Sequence, residues 1–237
     1  MASILDQYGI KEVADVTLYL LDTDGAMTTP VLYLDTLKVS TIEQTAEQAE
    51  ARGGKGNSPL IIWDFGKEIT ISLEDALFTP KSMGVMFGST TALTALDTSV
   101  ATVTQMKRVA DATAYSAPTN ASVVYWDATL TTSATTVGAL TGQIFVQETY
   151  DAANTYTIEI SAAAFPGTYG LVGDTYARNK NSGVDEYFQF VVPQAKMGAE
   201  NTITLEAEGD PSVFNFTMRV LRPTDGIMMK LIKYTLD

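Results

Sequence analysis

The sequence contains no cysteine and no histidine among its 237 residues. Without cysteine the chain can form no disulfide, no thiolate nucleophile and no zinc–thiolate site. Without histidine it also lacks the commonest general base and the commonest ligand of transition metals. The chemistries that remain are carboxylate-only catalysis and oxygen-ligated Mg²⁺ or Ca²⁺, so the two absences weigh against an enzyme.

Basic residues and long apolar runs are also scarce. Fifteen Lys and Arg stand against 28 Asp and Glu, and the formal net charge is −13. Such a surface repels nucleic acid and anionic membranes, although general solubility is the simpler explanation of its charge. No apolar run approaches the roughly 20 residues of a transmembrane helix. The N-terminal residues show no basic segment before an apolar stretch, so we expect neither a membrane span nor a signal peptide.

Short runs rich in Val, Ile, Thr, Tyr and Phe, separated by Gly, Asp, Asn and Pro, predict a mainly β protein. Residues 60–74 predict two strands around Gly66, and in the second of these apolar residues alternate with acidic and hydroxyl residues. Residues 213–220 alternate in the same way, which gives each strand one dry face and one polar face. The predicted strands are 13–20, 31–39, two within 60–74, 121–126, 143–149, 155–160, 186–192, 202–208, 213–221 and 227–234.

Helical signal is sparse. Residues 41–51 contain good helix formers and precede two glycines, which predicts a short helix with a glycine C-cap. A second short helix is predicted with Thr79 as N-cap, Pro80 at its first position, and an end at about Phe87 before Gly88. The sequence thus predicts a β-sandwich or small barrel with one or two short helices.

Residues 89–141 differ from the rest of the chain. They are rich in Thr, Ala and Ser, and they contain two hydroxylated runs of low charge, 89–104 and 129–141. We interpret them as an inserted subdomain, or as a long decorated excursion, between two parts of a β core. The core parts are residues 1–88 and 142–237.

Two motifs resemble ligand loops but miss the necessary spacing. The loop 53–57 has the glycines and lysine of a phosphate loop without the P-loop spacing or the following Ser/Thr. The turn 22–25 begins like a calcium loop, but the later acidic positions are missing. A flexible loop and a hairpin turn are the simpler explanations. Since GxSxG, serine–lysine and HExxH motifs are also absent, the sequence predicts no enzyme, no cofactor and no metal site.

Three stretches of the chain carry a family resemblance. Residues 51–78 combine a glycine-rich loop, a hydrophobic strand, a turn and an alternating strand that ends in Glu-Asp-Ala-Leu-Phe. The second stretch is 187–208, and the third is 209–221, which is followed by Arg-Pro-x-Asp-Gly. Together they resemble the tail tube, or major tail, proteins of tailed bacteriophages.

The resemblance implies both a fold and an assembly. It implies a β-sandwich or small barrel with a flanking helix and a long loop, whose copies join their sheets into the inner β-barrel of a hexameric ring. Rings stack into a tube that conducts DNA during ejection. The implied partners are other copies of the chain, the tape-measure protein and other tail proteins, with DNA as non-sticking cargo and no membrane. The implied location is the virion tail, after assembly in the host cytoplasm.

The resemblance also suggests which residues face the channel and which join the rings. Strands with an acidic and hydroxylated face suit a channel that repels phosphate. The lumen candidates are Glu68, Thr70, Ser72, Glu148, Glu159, Glu206 and Glu208. The loop from about Thr41 to Asn57 is the candidate for stacking the rings, because its small residues and glycines let it reorder on assembly. Its candidate residues are Glu50, Arg52, Gly53, Gly54, Lys55, Gly56 and Asn57.

Two other functions fit the same features. Another phage virion β protein, such as a capsid decoration protein, a tail terminator or a baseplate component, would share the acidity and β pattern without forming long tubes. A carbohydrate-binding β-sandwich would require exposed aromatic residues over a polar groove. The aromatic residues available for it are Tyr115, Tyr125, Trp126, Tyr169 and Tyr176.

Overall fold

A computed structural model describes residues 6–89, 99–112, 115–136, 139–203 and 213–235. The fold is mainly β, as predicted, with thirteen strands and one helix among these residues. The chain divides into two compact units. The first unit comprises Met1–Leu93 with Ile158–Asp237, and the second comprises Thr94–Thr157.

The elements are β1 Tyr8–Ile10, β2 Asp15–Leu21, β3 Met27–Leu34, β4 Leu37–Gly53, β5 Ser58–Asp75, α1 Pro80–Phe87, β6 Ser99–Val109, β7 Ala121–Asp127, β8 Ser133–Ala134, β9 Ile144–Thr155, β10 Thr168–Asn179, β11 Asp185–Met197, β12 Phe214–Val220 and β13 Lys230–Tyr234. Each strand pairing among them is antiparallel.

The first unit is built on one curled sheet. Its strand order is β3-β2-β10-β11-β12-β5-β4, with β1 paired to β10 and β13 paired to β11. Strands β3 and β4 lie at opposite ends of this order, yet only Asp35 and Thr36 connect them in the chain. The sheet must therefore curve until its two ends meet. The backbone N–H of Ala14, which precedes β2, donates to the Ser40 Oγ of β4 at 3.4 Å, which agrees with an open barrel.

The inner face of this sheet holds the core. Ile69, Ile71 and Leu73 of β5 are buried, while the residues between them are not. Strand β12 alternates in the same way over its seven residues. Helix α1 adds Val85 and Met86 to the same cluster. The predicted period-two alternation of both strands is thus confirmed, since each side chain on the apolar face finds apolar neighbours.

Helix α1 begins and ends where the sequence predicts. The Thr79 Oγ1 accepts from the Ser82 N–H at 3.0 Å, and the Ser82 Oγ accepts from the Thr79 N–H at 2.8 Å, which forms a capping box. Gly88 ends the helix in the left-handed conformation, with φ 73°. A Cβ at Gly88 would lie 2.3 Å from the carbonyl carbon of Phe165, so this position requires glycine for both backbone and space.

The predicted helix over residues 41–51 is wrong, because these residues belong to β4. This strand pairs with β5 from Leu37 opposite Asp75 to Gly53 opposite Ser58. An isolated helix of this length is marginal in water even with good helix formers. The long ladder to β5 supplies hydrogen bonds along the whole segment, so the tertiary pairing overrides the helix propensity of its Glu, Gln and Ala residues.

The two strands predicted around Gly66 are a single strand, β5. Glu47 lies opposite Phe65 and Thr45 lies opposite Glu68, so two residues, one of them Gly66, face a single residue of β4. Gly66 has φ 59°. Glycine in this conformation is typical of a β-bulge, which allows the strand to continue with a local bend instead of ending.

The chain's first and last strands flank the β10–β11 hairpin. Strand β1 pairs with the end of β10, and β13 pairs with the facing part of β11. The Lys233 Nζ donates to the Tyr8 hydroxyl at 2.7 Å and forms an ion pair with Glu186. Glu186, followed by Tyr8, raises the pKa of Lys233 above its usual value. These contacts tie β1 to β13 across the hairpin.

The second unit is a four-stranded sheet in the order β6-β9-β7-β8. Its small core contains Ala112, Tyr125, Ile144 and Val146. Strand β7 confirms the predicted strand over residues 121–126.

The two strands predicted over 143–149 and 155–160 are not separated by a turn, because β9 runs straight through residues 150–154. Asp and Asn suggested a turn there, but the segment contains neither glycine nor proline, and β6 pairs with it from Tyr150 to Ala152 while β7 pairs with Tyr150. The β core predicted over 142–237 includes residues 142–157, which lie in the second unit.

Candidate assembly surfaces

The most exposed feature of the first unit is the outer part of the β4–β5 hairpin. We call residues 45–68 the arm. Strand β12 pairs with β5 only from Thr70 to Asp75, so the arm is a two-stranded ribbon beyond the sheet. None of its residues is buried. Nine residues of β4, from Thr45 to Gly53, extend it by about 30 Å at ~3.3 Å per residue.

The tip of the arm is a tight turn. Gly54, Gly56 and Asn57 all have positive φ angles, and the Asn57 N–H donates to the Gly54 carbonyl at 3.2 Å. The predicted ring-stacking residues divide between this turn and the adjacent end of β4. Gly54, Lys55, Gly56 and Asn57 form the turn, while Glu50, Arg52 and Gly53 lie in β4.

One face of the arm is apolar. Cross-strand pairing places Ala51 opposite Ile61 and Ala49 opposite Trp63, with Phe65 two residues farther along β5. Directly paired residues project to the same side of a ribbon, and successive residues project to opposite sides. Ile61, Trp63 and Phe65 are 52%, 53% and 51% exposed. We call Ala49, Ala51, Ile61, Trp63 and Phe65 the apolar face, and Glu47, opposite Phe65, lies on the same side at its inner end.

The opposite side of the arm is satisfied by polar contacts. The Gln48 Nε2 donates to the Asp64 Oδ1 at 2.8 Å, and the Arg52 Nε donates to the Glu50 Oε2 at 2.6 Å. Ile62 lies on this side opposite Glu50. We call this side, Gln48, Glu50, Arg52, Ile62 and Asp64, the polar face.

Sequence reasoning missed the apolar face. The run Leu-Ile-Ile-Trp-Asp-Phe at 60–65 predicts a strand, but the composition of its partner, residues 41–51, predicts a helix. The signal was the placement of alanines at 49 and 51. Once these residues pair with 63 and 61, small side chains lie beside large ones on a single face.

Three of the predicted lumen residues lie together. Glu68, Thr70 and Ser72 share the face of β5 that points away from the core, beside Arg219 and Thr217 of β12. Glu68 forms an exposed ion pair with Arg219, so its charge is partly neutralised.

The outer surface of the sheet also carries two carboxylates that sequence reasoning did not single out, on β2 and β10, which β11 and β12 separate from β5. Asp15 of β2 lies directly opposite Asp174 of β10. Tyr33 donates to Asp15 at 3.3 Å, and the Tyr234 hydroxyl and the Gln189 amide donate to Asp174 at 3.1 Å and 2.8 Å. Partial burial and then the Asp15 carboxylate raise the pKa of Tyr33, so this hydroxyl remains a donor. The network holds two like charges side by side.

Glu148, another of the lumen candidates, is buried inside the second unit. Its side chain is 1% exposed. The Lys107 Nζ and the Tyr115 hydroxyl donate to its two oxygens, each at 2.7 Å. Lys107, followed by Tyr115, lowers the pKa of Glu148. Burial, followed by the bond to Glu148, raises the pKa of Tyr115. This closed cluster offers no charge to a channel.

The remaining lumen candidates are not brought to the outer face of β5. Glu159 is exposed in the irregular segment after β9. Glu206 and Glu208 lie outside the described residues, as does most of the predicted strand 202–208.

The described part of the chain shows no metal site. Asp22 closes the β2–β3 turn by accepting from the Asp24 and Ala26 N–H groups at 2.9 Å and 2.8 Å. Residues 6–89, 99–112, 115–136, 139–203 and 213–235 contain no cluster of three acidic residues that could hold an ion. The five aromatic residues considered for carbohydrate binding divide between the two units, and Tyr125 and Tyr169 are buried. Within those ranges no helix is long and apolar enough to span a membrane.

Comparison with known protein families identifies the family of the chain. The chain matches no curated protein. The model of the YomU/Tube protein family matches residues 8–232, from the first residue of β1 into β13 and through both units. The chain therefore belongs to the YomU/Tube protein family, which confirms the resemblance to phage tail tube proteins carried by its sequence.

Proposed function

We propose that this virion tail component is the subunit of a phage tail tube, whose copies form hexameric rings that stack and conduct DNA during ejection. The family match shows that the chain is a tube protein. The arm is the observation that supports rings that stack into a tube. It is a long exposed ribbon with a polar face satisfied within the chain and an apolar face left in water.

Keeping an apolar face in water costs free energy, and assembly removes this cost when it covers the face. Soluble monomers rarely expose a large contiguous apolar patch, and those that do usually bind a partner there. The two edges of a ribbon are also open to strand pairing with another chain. A head-to-tail contact between identical copies closes into a ring or continues along an axis, depending on its rotation. The arm therefore suits contacts between successive rings.

The charge of the chain suits the conduction of DNA. Its net charge is −13, and the outer face of β5 carries Glu68 together with the hydroxyls of Thr70 and Ser72. Acidic walls repel phosphate, so DNA passes along such a channel without binding. We propose this outer face as the lumen surface.

The proposal also defines partners and place of action. The chain contacts other copies of itself, and the tape-measure protein and other tail proteins complete the tail. Assembly takes place in the host cytoplasm before the particle is released. Families of structural tube proteins are typically non-enzymatic, and the proposal assigns the chain no catalytic step.

Electron microscopy of the purified protein in negative stain, across a concentration series, tests this function. We expect stacked rings or hollow tubes with a central channel and sixfold end views. Uniform monomers at the highest concentration, both alone and with isolated tail tips added as initiator, would contradict a tube subunit. That result would favour a decoration, terminator or baseplate component.

A further inference from the structure

The second unit contains a cavity between β6, β9 and the segment that precedes β7. Its volume is about 320 Å³, and its lining includes Lys107, Asn120, Glu148, Tyr150 and Asp151. Binding sites for small molecules range from about 300 to 1,000 Å³, so a cavity of this size suits a small ligand. The polar side chains of the lining determine what kind of ligand that is.

A buried ion pair forms part of the cavity wall. The Glu148 side chain is 1% exposed, and its two oxygens accept from the Lys107 Nζ and the Tyr115 hydroxyl, each at 2.7 Å. The Lys107 side chain is 48% exposed, and an ammonium group carries three N–H donors, of which Glu148 takes one. Glu148 thus fixes the position of a donor that keeps hydrogen-bonding capacity for a ligand.

The other polar groups of the lining are also held by contacts within the unit. The Asp151 Oδ1 accepts from the Thr102 hydroxyl at 2.8 Å, and the Tyr150 hydroxyl accepts from the Gln105 amide. Asn120 has a φ of 73°, in the left-handed region that residues other than glycine seldom adopt. Side chains that are fixed before a ligand arrives lose little conformational entropy on binding, so this arrangement favours binding.

The mixture of donors and acceptors indicates a ligand that is uncharged and rich in hydroxyls. Lys107 donates, Asp151 accepts and the Asn120 amide does both, and a hydroxyl can pair with all three because it both donates and accepts. An anion would meet the carboxylates of the lining, and a cation would meet Lys107, so either would face a like charge. Tyr150 adds apolar ring surface, against which C–H groups can pack. We infer that this cavity binds a neutral sugar.

Two asparagines of the chain provide a matched pair of variants. Asn120 and Asn57 are both exposed and both have a positive φ, 73° and 51°. They differ in position, because Asn120 lines the cavity while Asn57 lies in the turn at the tip of the arm. Glycine adopts positive φ readily, so Asn120→Gly and Asn57→Gly each remove a side-chain amide and preserve the backbone conformation.

Saturation-transfer NMR of the full chain with glucose, galactose and N-acetylglucosamine tests the inference. The corresponding uronates and amino sugars serve as anionic and cationic probes. We expect at least one neutral sugar to bind with a Kd of about 1 mM, as is reasonable for so small a ligand, and its charged counterparts to bind more weakly. Methyl glycosides imitate a unit within a glycan, so binding as tight as that of the free sugar would assign the site to glycans, and weaker binding to free sugars.

The variants identify the cavity as the place of binding. Asn120→Gly should weaken binding by about fivefold, as expected for the loss of one hydrogen bond, while Asn57→Gly should leave it unchanged. Asp151→Asn keeps the shape of the side chain, replaces an acceptor oxygen with a donor, and should also weaken binding. Thermal unfolding that matches the parent chain shows that each variant is folded.

Three results would overturn the inference: no saturation transfer to any of the neutral sugars, tighter binding of a charged sugar than of its neutral counterpart, or equal affinity in the parent, Asn120→Gly and Asp151→Asn chains. The measurements use unassembled subunits. The sugar site therefore holds or fails separately from the proposed tube function, which electron microscopy tests.

Discussion

Glu148 illustrates how a single charged residue is accommodated within a small core. Its carboxylate is buried beside Val146 in the second unit, and it is stable there because Lys107 and Tyr115 each donate to one of its oxygens. A buried ion pair is not in itself a source of stability, but removal of one partner leaves an uncompensated charge. The cluster therefore makes the second unit sensitive to changes at any of its three members.

Lys107→Met should destabilise the second unit more than a methionine substitution at an exposed lysine such as Lys55. The reason is that Glu148 would remain buried without its cation. Adding Glu148→Gln to Lys107→Met should recover part of the loss, because the neutral amide tolerates burial better than the carboxylate. Thermal denaturation of the three variants provides the comparison. Equal melting temperatures for Lys107→Met and Lys55→Met would contradict it.

Asp127 provides a prediction about pH. Thr129, followed by the backbone N–H groups of Thr132 and Thr131, lowers its pKa from the usual 3.8 to about 2. A carboxyl whose folded pKa is depressed stabilises the fold fully above its usual pKa and loses this effect as the pH falls through the lowered value. Asp127→Asn should therefore reduce the fall in stability between pH 4 and pH 2. Circular dichroism during acid titration of the two proteins measures this difference. Superimposable titration curves would mean that the turn closed by Asp127 does not contribute to the pH dependence of stability.

At the scale of single elements, the glycine at the end of α1 can be compared with the glycine at the tip of the arm. Gly88 and Gly54 have nearly the same φ, 73° and 77°. A Cβ at Gly88 would collide with the backbone of Phe165, whereas a Cβ at Gly54 would meet nothing within 4 Å. A substitution at Gly54 therefore tests backbone strain alone, whereas a substitution at Gly88 tests backbone strain together with steric crowding.

Gly54→Ala should cost about 1 kcal/mol or less, since only left-handed strain is added in an exposed turn. Gly88→Ala should cost at least about twice as much, because the helix end or the chain at Phe165 must also move. Unfolding in denaturant measures both. Equal losses would mean that crowding at the helix end is relieved without cost.

The same elements show what a sequence can predict. Helix α1 was predictable because its signals are local: an N-cap threonine, a proline at the first position and a glycine at the end lie within ten residues. The alternation in β5 and β12 was predictable for the same reason. The faces of these strands followed from it, and so did the grouping of Glu68, Thr70 and Ser72.

What sequence reasoning missed depends on distant partners. Residues 41–51 have helix-forming composition, and only β5 turns them into a strand. Glu148 is in phase with Ile144 and Val146 on the buried face of β9, but its charge suggested exposure, and only Lys107 and Tyr115, far from it in sequence, explain how that charge is buried. The apolar face of the arm likewise arises from the register between two strands, which no single segment encodes.

At the scale of the whole molecule, the outer face of β5 should govern passage of DNA. Replacing Glu68 with lysine should leave tubes intact but slow DNA ejection, and the slowing should be greater at low salt, where attraction to phosphate is less screened. The matched Glu68→Gln variant removes charge without reversing it and should have a smaller effect. Ejection followed by dye fluorescence supplies the rates. Normal kinetics in the lysine variant at low salt would rule this face out as the lumen.

The position of β1 and β13 on either side of the β10–β11 hairpin has a consequence for chain connectivity. Tyr8 and Tyr234 are separated by three strand spacings across the sheet and by three residues along it, or about 17 Å in all. A linker of about six residues could therefore join them. New chain ends could then be opened between Lys55 and Gly56 at the tip of the arm. Such a circular permutant would keep every strand in place while making the two strands of the arm the beginning and the end of the polypeptide.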